Sequence, residues 1–229
     1  MEKYIKEIAA QFGADVCGIG SIDRFIDAPE GFSPLDTYDK CKSVIAVGIA
    51  LPKGLYEINP RLIYSHFNAN VSADVDQLTL KLAKAIERKY DCIAVPMPSD
   101  APNEYWDAEN LTAKGIISMK HTAVLCGLGS IGKSSLLINA EYGNRLIIGA
   151  VLTNLELEAD ALCPDLCIPG CRKCIDNCPT GAISGGSVEQ KKCRPNTYGK
   201  TERVFDTVDC NRCRTVCPMR YGTTVRLLY

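Results

Sequence analysis

The chain has 229 residues, enough for one compact domain or for a large domain followed by a small one. Hydrophobic residues make up 46% and charged residues 23%, which is typical of a globular protein and excludes a disordered chain. The formal net charge of −1 excludes a strong overall attraction to nucleic acid or anionic lipid. The apolar runs are far shorter than the roughly 20 residues of a membrane helix. The N-terminus also lacks the apolar core of a secretory signal, so we predict a cytoplasmic protein.

The first 160 residues show alternating helical and strand patterns, which predicts a mixed α/β domain. A first helix is expected to end at Gly13, and a longer helix is expected to begin at a cap residue, Ser72. Residues 99–110 are acidic and rich in Pro and Asn, which predicts a surface loop. The predicted helices are 2–12, 72–90 and 118–126, and the predicted strands are 15–20, 43–51, 92–95 and 145–152.

The cysteines are concentrated at the C-terminal end of the chain. Nine of the thirteen lie in the last 67 residues, which hold only 16 large apolar side chains. A segment so poor in core residues needs an additional stabilising element, such as disulfide bonds or bound metal, in order to fold. Because the protein is predicted to occupy a reducing compartment, we expect bound metal rather than disulfides.

The cysteine spacing identifies the kind of metal centre. The run Cys-x2-Cys-x3-Cys-Pro occurs at 171–179 and again at 210–218. Each run is the second part of the bacterial ferredoxin pattern, in which three cysteines bind one [4Fe–4S] cluster and the cysteine before Pro binds the other. The pattern therefore predicts two [4Fe–4S] clusters with exchanged fourth ligands.

Two clusters need eight thiolates, and the two runs supply six. Cys167 is our choice for the missing leader of the first run, with Cys163 as the competitor, and Cys193 is recruited for the second run. The exchange rule then defines two groups, which we call the first and the second cysteine set. The first set is Cys167, Cys171, Cys174 and Cys217, and the second set is Cys178, Cys193, Cys210 and Cys213.

Structural zinc is the alternative, because paired cysteines also build zinc ribbons. Zinc ribbons do not require Pro after the last cysteine of both runs, and no histidine follows His121. Residues 163–229 carry 11 basic and 6 acidic residues, a surplus that can offset anionic clusters or simply form solvated surface. Among the early cysteines, we predict buried, inert thiols at Cys17, Cys92 and Cys126 and a more exposed one at Cys41.

Residues 127–134, Gly-Leu-Gly-Ser-Ile-Gly-Lys-Ser, match both the phosphate loop of nucleotide hydrolases and the dinucleotide fingerprint. Both motifs must follow a buried strand and must open a domain with further strands downstream. Here the preceding residues are predicted to form a helix, and the cysteine segment begins about thirty residues later. We therefore do not expect nucleotide binding.

The order of these motifs resembles the epoxyqueuosine reductase family and the related reductive dehalogenases. The likeness spans residues 43–218, and the cysteine runs at 171–181 and 210–218 follow three other matching stretches. Those stretches are AVLCGLGSIGKSSLL (123–137), EYGNRL (141–146) and GAVLT (149–153), with a weaker match at SVIAVG (43–48).

This resemblance implies an α+β fold. An N-terminal α/β domain of the cofactor-binding type (1–160) would precede a small ferredoxin-like domain with two clusters (161–229). It also implies a cobalamin-type cobamide in the N-terminal domain, to which the clusters deliver single electrons. The residues expected to contact the cobamide are Ser118, His121, Gly127, Gly129 and Lys133. His121 as an ordinary helix histidine and Lys133 as a turn cap are the alternatives.

The chain departs from the family pattern in three respects. Ser130 replaces the usual aromatic residue, and the Asp-x-x-Pro-Val segment with the family's proton donor has no counterpart. The chain also ends twelve residues after Cys217, without the extension that helps to hold tRNA, so we do not expect a nucleic-acid partner. Four acidic residues of the predicted loop remain as candidates without a motif: Asp100, Glu104, Asp107 and Glu109.

Two functions follow from these observations. The first is an iron–sulfur oxidoreductase of the epoxyqueuosine reductase type, with a ferredoxin or flavodoxin as electron donor. The second is a dedicated electron carrier that reduces the corrinoid or metal centre of a partner enzyme. The large N-terminal domain favours the enzyme, and the missing proton donor favours the carrier.

Overall fold

Residues 1–99 and 105–223 are described in a computed structural model, which shows a mixed α/β fold. Short 3-10 turns lie at Ile22–Phe25 and Lys53–Tyr56. The helices are α1 (Glu2–Gln11), α2 (Pro34–Thr37), α3 (Arg61–Lys89), α4 (Met119–Leu125), α5 (Lys173–Asp176), α6 (Gln190–Thr197) and α7 (Arg212–Thr215). The strands are β1 (Val16–Ser21), β2 (Ser43–Ala50), β3 (Ala94–Met97), β4 (Tyr105–Asp107), β5 (Thr112–Lys114), β6 (Ser130–Ile131), β7 (Leu137–Ile138), β8 (Leu146–Thr153), β9 (Tyr198–Lys200) and β10 (Asp206–Val208).

The centre of the fold is an antiparallel sheet with the strand order β1-β2-β8-β3. Its two central strands, β2 and β8, are apolar along most of their length because both of their faces are covered. Ile45, Val47 and Val151 face the core formed with α1 and α3. Val44 and Leu152 face the opposite core, which includes α4 and the residues that follow it.

The predicted elements of the sheet are confirmed to within a few residues, but two element boundaries were wrong. Helix α3 begins at Arg61 rather than at Ser72, whose hydroxyl donates to the Asn68 carbonyl inside the helix. The first turns of α3 expose apolar residues such as Phe67, so they lack the amphipathic pattern that a sequence prediction detects. Strand β3 is shifted to Ala94–Met97 and includes Pro96, which is tolerated because β3 is an edge strand.

Two further expectations need correction. Within the surface loop predicted at 99–110, residues 105–107 form strand β4, which pairs with β5 in a hairpin, while Asp100 and Glu104 lie outside the described residues. Cys41 was expected to be exposed, but it is buried in the core with Val44. Its thiol donates to the carbonyl oxygen of Ser43 at 3.4 Å. Cys41 is buried because it lies directly before β2, which begins at Ser43 in the core.

The cysteine-rich segment packs closely on the first 160 residues. The Ser135 hydroxyl donates to the carbonyl oxygen of Gly186 at 2.9 Å. Strand β10 contacts α3, and Thr223 donates its amide to the Ala140 carbonyl at 2.7 Å. In the part of the chain that the structure describes, no helix is both long enough and apolar enough to span a bilayer.

Candidate cluster-binding site

The first cysteine set surrounds one cavity. Cys167, Cys171, Cys174 and Cys217 all line it, together with Lys133. Burial raises the pKa of the Cys217 thiol, and the charges of the other three cysteines raise it further. Four sulfurs from two distant parts of the chain therefore meet at one place.

The side chain of Ser130, in the region after α4, holds the loop that carries this set. The Ser130 hydroxyl, at the start of β6, accepts the Leu166 amide at 2.9 Å and donates to the Asp165 carboxylate at 3.3 Å. The same carboxylate accepts the Cys167 amide at 2.9 Å. Ser130, the residue that departs from the family pattern, is thus an anchor for the first cysteine loop.

The second cysteine set is assembled from three elements. Cys193 lies in α6, Cys213 in α7 with Cys210 just before it, and Cys178 follows α5. The pKa of the Cys213 thiol is raised, chiefly by burial. The charge of Arg214 acts to lower this pKa, and the charges of the other three cysteines of the set act to raise it. The pair formed by α5 and α7 brings the two runs together.

The exchange of cysteines between the runs is visible in these groupings. Cys217 belongs to the second run but lies with Cys171 and Cys174 of the first. Cys178 belongs to the first run but interacts with Cys213 of the second. The binding of two clusters by these groups stays a prediction.

The donor set fits a [4Fe–4S] cluster in both groups, since four thiolates are the usual ligands of such a cube. Around Cys178, hydrogen bonds from Thr180 and from the amides of Ala182 and Ile183 outweigh the effect of burial and lower the thiol pKa. Asn211, between Cys210 and Cys213, has a buried side-chain nitrogen without a hydrogen-bond partner among the described residues, and a cluster sulfur would be an acceptor for it.

A single metal ion has different requirements, because its ligands must converge on one atom. Among residues 1–99 and 105–223, no group of three or more His, Cys, Asp or Glu side chains is arranged in that way. Cys163 lies apart from both sets in its electrostatics, since burial alone raises its pKa. Cys167, by contrast, lies on the cavity of the first set.

Residues 127–134 do not form a phosphate loop. They follow α4 and continue into the hairpin β6–β7, whereas a phosphate loop follows a strand and opens a helix. The Lys133 ammonium donates to the carbonyl oxygen of Cys171 at 3.0 Å and lies 3.5 Å from that of Ile168. The structure therefore gives Lys133 partners in the first cysteine loop.

The two glycines expected at a cofactor have packing contacts instead. A Cβ atom at Gly127, which has a φ of +79°, would collide with the carbonyl oxygen of Ala161. A Cβ atom at Gly129 would collide with the carbonyl oxygen of Ile138. Both positions need glycine because another backbone segment passes close by.

Ser118 and His121 lie at the start of α4, with the serine hydroxyl 2.7 Å from Nδ1 of the ring. The His121 side chain is exposed on one side, but the protein atoms around the rest of the ring partly desolvate it. This desolvation, followed by repulsion from the charge of Lys120, lowers the pKa of His121. Lys120 donates to the Ser135 carbonyl at 2.6 Å, and burial followed by repulsion from Arg214 lowers its pKa. The start of α4 is thus a polar, accessible region near α7.

Three residues of this region carried no sequence signal. Tyr56 and Asn144 contact Arg214, which lies in the second cysteine run. Their separations along the chain, 158 and 70 residues, exclude any local pattern that could have identified the contact. The spacing of the cysteines carries no information about the residues between them.

Comparison with known proteins identifies relatives of this chain. No family model matches it. A curated epoxyqueuosine reductase of Bacillus cereus is 32% identical over 128 residues, which is 51% of this chain and 33% of that protein. The solved epoxyqueuosine reductase of Streptococcus thermophilus has a TM-score of 0.70 and 22% identity, covering 97% of this chain and 66% of that one. The chain is related to the epoxyqueuosine reductases.

The wider resemblance to reductive dehalogenases is confirmed at the level of the fold. A catabolic reductive dehalogenase in complex with 3-bromo-4-hydroxybenzoic acid has a TM-score of 0.72 and 18% identity, covering 98% of this chain and 32% of that one. Another solved reductive dehalogenase is B12-dependent, and another solved epoxyqueuosine reductase is bound to an epoxyqueuosine-modified tRNA stem loop. The match spans about a third of the curated epoxyqueuosine reductase and about two thirds of the solved one.

Proposed function

We propose that this chain is an iron–sulfur oxidoreductase of the epoxyqueuosine reductase type, with two [4Fe–4S] clusters and a corrinoid. Single electrons would pass through the clusters to the corrinoid or to a substrate beside it. The observation that carries the proposal is the presence of two four-cysteine groups, each containing one cysteine from the other's run. When bound, the clusters supply one-electron steps and a cobamide supplies reduction at cobalt.

The residues of the chain have definite tasks in this scheme. The first cysteine set would hold one cluster and the second set would hold the other. Both sets lie within the proposed ferredoxin-like segment, residues 161–229. Lys133 and Ser130 fix the loop of the first set through hydrogen bonds to its backbone. The buried amide of Asn211 would donate to the second cluster, which stabilises its reduced and more negative state.

Ser118 and His121 are the residues that we propose for contact with a cobamide. They are accessible, and Lys120 between them donates to the carbonyl oxygen of Ser135. The Ser135 hydroxyl in turn donates to the carbonyl oxygen of Gly186, so the start of α4 lies beside the cysteine-rich segment. Gly127, Gly129 and Lys133, also expected at the cobamide, are engaged in contacts within the protein. These three residues stay in the proposed cobamide site alongside Ser118 and His121.

The substrate is proposed at the level of a class. A modified base in RNA is one candidate, because a related epoxyqueuosine reductase binds a modified tRNA stem loop. That relative counts against the expectation of no nucleic-acid partner. A small molecule is the other candidate, because a related reductive dehalogenase binds a brominated hydroxybenzoate. A ferredoxin or flavodoxin is the proposed electron donor.

Anaerobic purification tests the proposal. We expect about eight iron atoms and as many sulfides per chain, since each cube holds four of each. Adding cobalamin to the protein and following the cobalt(II) signal by EPR should give saturable binding near one per chain. A single zinc ion per chain in place of iron would overturn the cluster assignment. Iron without any cobalamin binding would favour the dedicated electron carrier.

Two histidine variants sharpen the test of the cobamide site. His121→Ala is expected to weaken cobalamin binding and to leave the iron content unchanged, because the ring lies outside both cysteine sets. His66→Ala is the matched control, since His66 is an exposed histidine on α3 whose ring contacts Asn70. Equal affinities of the two variants would exclude His121 from the site.

A further inference from the structure

Arg214 joins the second cysteine set to the first part of the chain. It follows Cys213 directly in α7, and its Nη1 atom donates to the carbonyl oxygen of Asn144 at 2.8 Å. The same atom lies 3.5 Å from the Tyr56 hydroxyl, which itself donates to the Asn144 carbonyl at 3.0 Å. The side-chain amide of Asn144 donates back to the Arg214 carbonyl at 3.1 Å. The guanidinium therefore has a fixed position.

In the part of the chain that the structure describes, the charge of this guanidinium has no carboxylate partner. Within residues 1–99 and 105–223, Arg214 takes part in none of the ion pairs. Its side chain is half-buried, and removing a cation from water without a counter-charge is costly. After the hydroxyl groups of Tyr64 and Tyr56, the guanidinium also interacts electrostatically with the thiolate of Cys213.

We propose that Arg214 is the counter-ion of the second cluster, held by Tyr56 and Asn144, and that it raises the reduction potential of that cluster. The inference rests on the proposed function, because it requires a cluster on the second cysteine set. A [4Fe–4S] cube with four thiolates is anionic and gains one negative charge on reduction. A fixed positive charge nearby stabilises the reduced state more than the oxidised state, which moves the potential upward.

The same cysteine has an arginine on its other side, which provides a matched comparison. Arg212 lies in α7 directly before Cys213, but its side chain is exposed. A charge in contact with water is screened strongly, so it affects the cluster little. Replacing either arginine changes the net charge of the chain by the same amount. Only the position of the lost charge differs between the two variants.

The test is an EPR-monitored redox titration of the anaerobic, cluster-loaded full chain. In Arg214→Gln we expect one of the two reduction waves to move to lower potential. The reduction equilibrium constant should fall by about tenfold, or about 59 mV for one electron. In Arg214→Lys, which keeps the charge, the shift should be smaller, and in Arg212→Gln it should be close to zero.

The other outcomes separate a failure of the Arg214 proposal from a failure of the proposed function. Equal shifts in Arg214→Gln and Arg212→Gln, or no shift in Arg214→Gln with both clusters assembled, would overturn the role of Arg214 while leaving the proposed function intact. If Arg214→Gln fails to assemble the second cluster, Arg214→Lys becomes decisive. Assembly near the wild-type potential supports the counter-ion, and failure assigns Arg214 a structural role only. A wild-type protein without a second cluster would instead remove the proposed function.

Discussion

The ammonium group of Lys133 donates a hydrogen bond to the backbone carbonyl of Cys171, 3.0 Å away. The lysine thus belongs to the hairpin after α4, while its partner belongs to the first cysteine loop. A motif that matches a phosphate-binding pattern instead connects two parts of one protein. The contact fixes the loop that would hold the proposed first cluster.

Replacing Lys133 by Met should loosen the first cluster selectively. A hydrogen bond from a charged donor contributes about 1.5–3 kcal/mol, so we expect loss of the first cluster to a chelator to be accelerated by about tenfold or more. The second cluster should be released at its normal rate. Iron release followed by absorbance would then show one fast and one slow phase of equal size.

Lys173→Met is the control for this experiment. Lys173 lies in the same loop, between Cys171 and Cys174, and its side chain is exposed. The Lys173→Met substitution removes one positive charge, as Lys133→Met does, but it does not remove the Lys133 contact with the loop backbone. Identical release kinetics in the two variants would mean that the Lys133 contact does not hold the first cluster.

Gly143→Ala should destabilise the junction between the two parts of the chain. Gly143 has a φ of +61°, and a Cβ atom there would collide with the carbonyl oxygens of Met219 and Arg220, just after Cys217. Left-handed strain and overpacking together should lower the free energy of unfolding by about 2–4 kcal/mol. Chemical denaturation of the anaerobic protein measures this.

Gly186→Ala provides the comparison, because a Cβ atom at that position meets no atom within 4 Å. We expect its midpoint of denaturation to stay close to that of the wild-type protein. A midpoint for Gly143→Ala that is equally unchanged would show that residues 219–220 can move away from the glycine without loss of stability.

The features that could be predicted from the sequence are those encoded by short-range patterns. Apolar runs of strand length identified β2 and β8, because strands buried on both faces contain few polar residues. Cysteine spacing predicts that Cys217 joins the first run, because the exchange is a property of the repeated motif itself, and the structure places Cys217 on one cavity with Cys171 and Cys174.

The features that could not be predicted depend on contacts between distant residues. Nothing near Lys133 in the sequence indicates that it reaches Cys171, and nothing near Arg214 indicates Tyr56. The start of α3 at Arg61 escaped for a different reason, since its first turns expose apolar side chains and give no periodic signal. Cys41 was misjudged because the charged residues beside it in the sequence point away from the core that it enters.

Cys126 should make the stability of the protein depend on alkaline pH. Burial raises its pKa to about 12, whereas a thiol in the unfolded chain titrates near 8.5. The folded state therefore keeps a proton that the unfolded state loses as pH rises. The contribution of the protonated Cys126 thiol to the free energy of unfolding is complete below about pH 8.5 and declines between about pH 8.5 and about pH 12. Urea denaturation of the wild-type protein and of Cys126→Ala at pH 8 and pH 10.5 should show a steeper decline in the wild type. Parallel declines would contradict the assignment.

Cys163 should be dispensable for iron binding, although it competes with Cys167 as the first cysteine of the series. Cys167 lines the cavity of the first set, whereas the pKa of Cys163 is raised by burial alone. We expect Cys163→Ser to retain about eight iron atoms per chain and Cys167→Ser to retain about four. Iron analysis of the two anaerobic variants would reverse the assignment if Cys163→Ser were the variant that lost iron.

Paired cysteine variants test the exchange between the runs directly. Cys171 and Cys217 belong to one set in the structure, and Cys171 and Cys178 belong to different sets. Replacing both Cys171 and Cys217 by Ser should therefore remove one cluster and leave about four iron atoms per chain. Replacing both Cys171 and Cys178 should remove both clusters and nearly all iron. If each run held its own cluster, the two results would be interchanged, because Cys171 and Cys178 would then be ligands of the same cube.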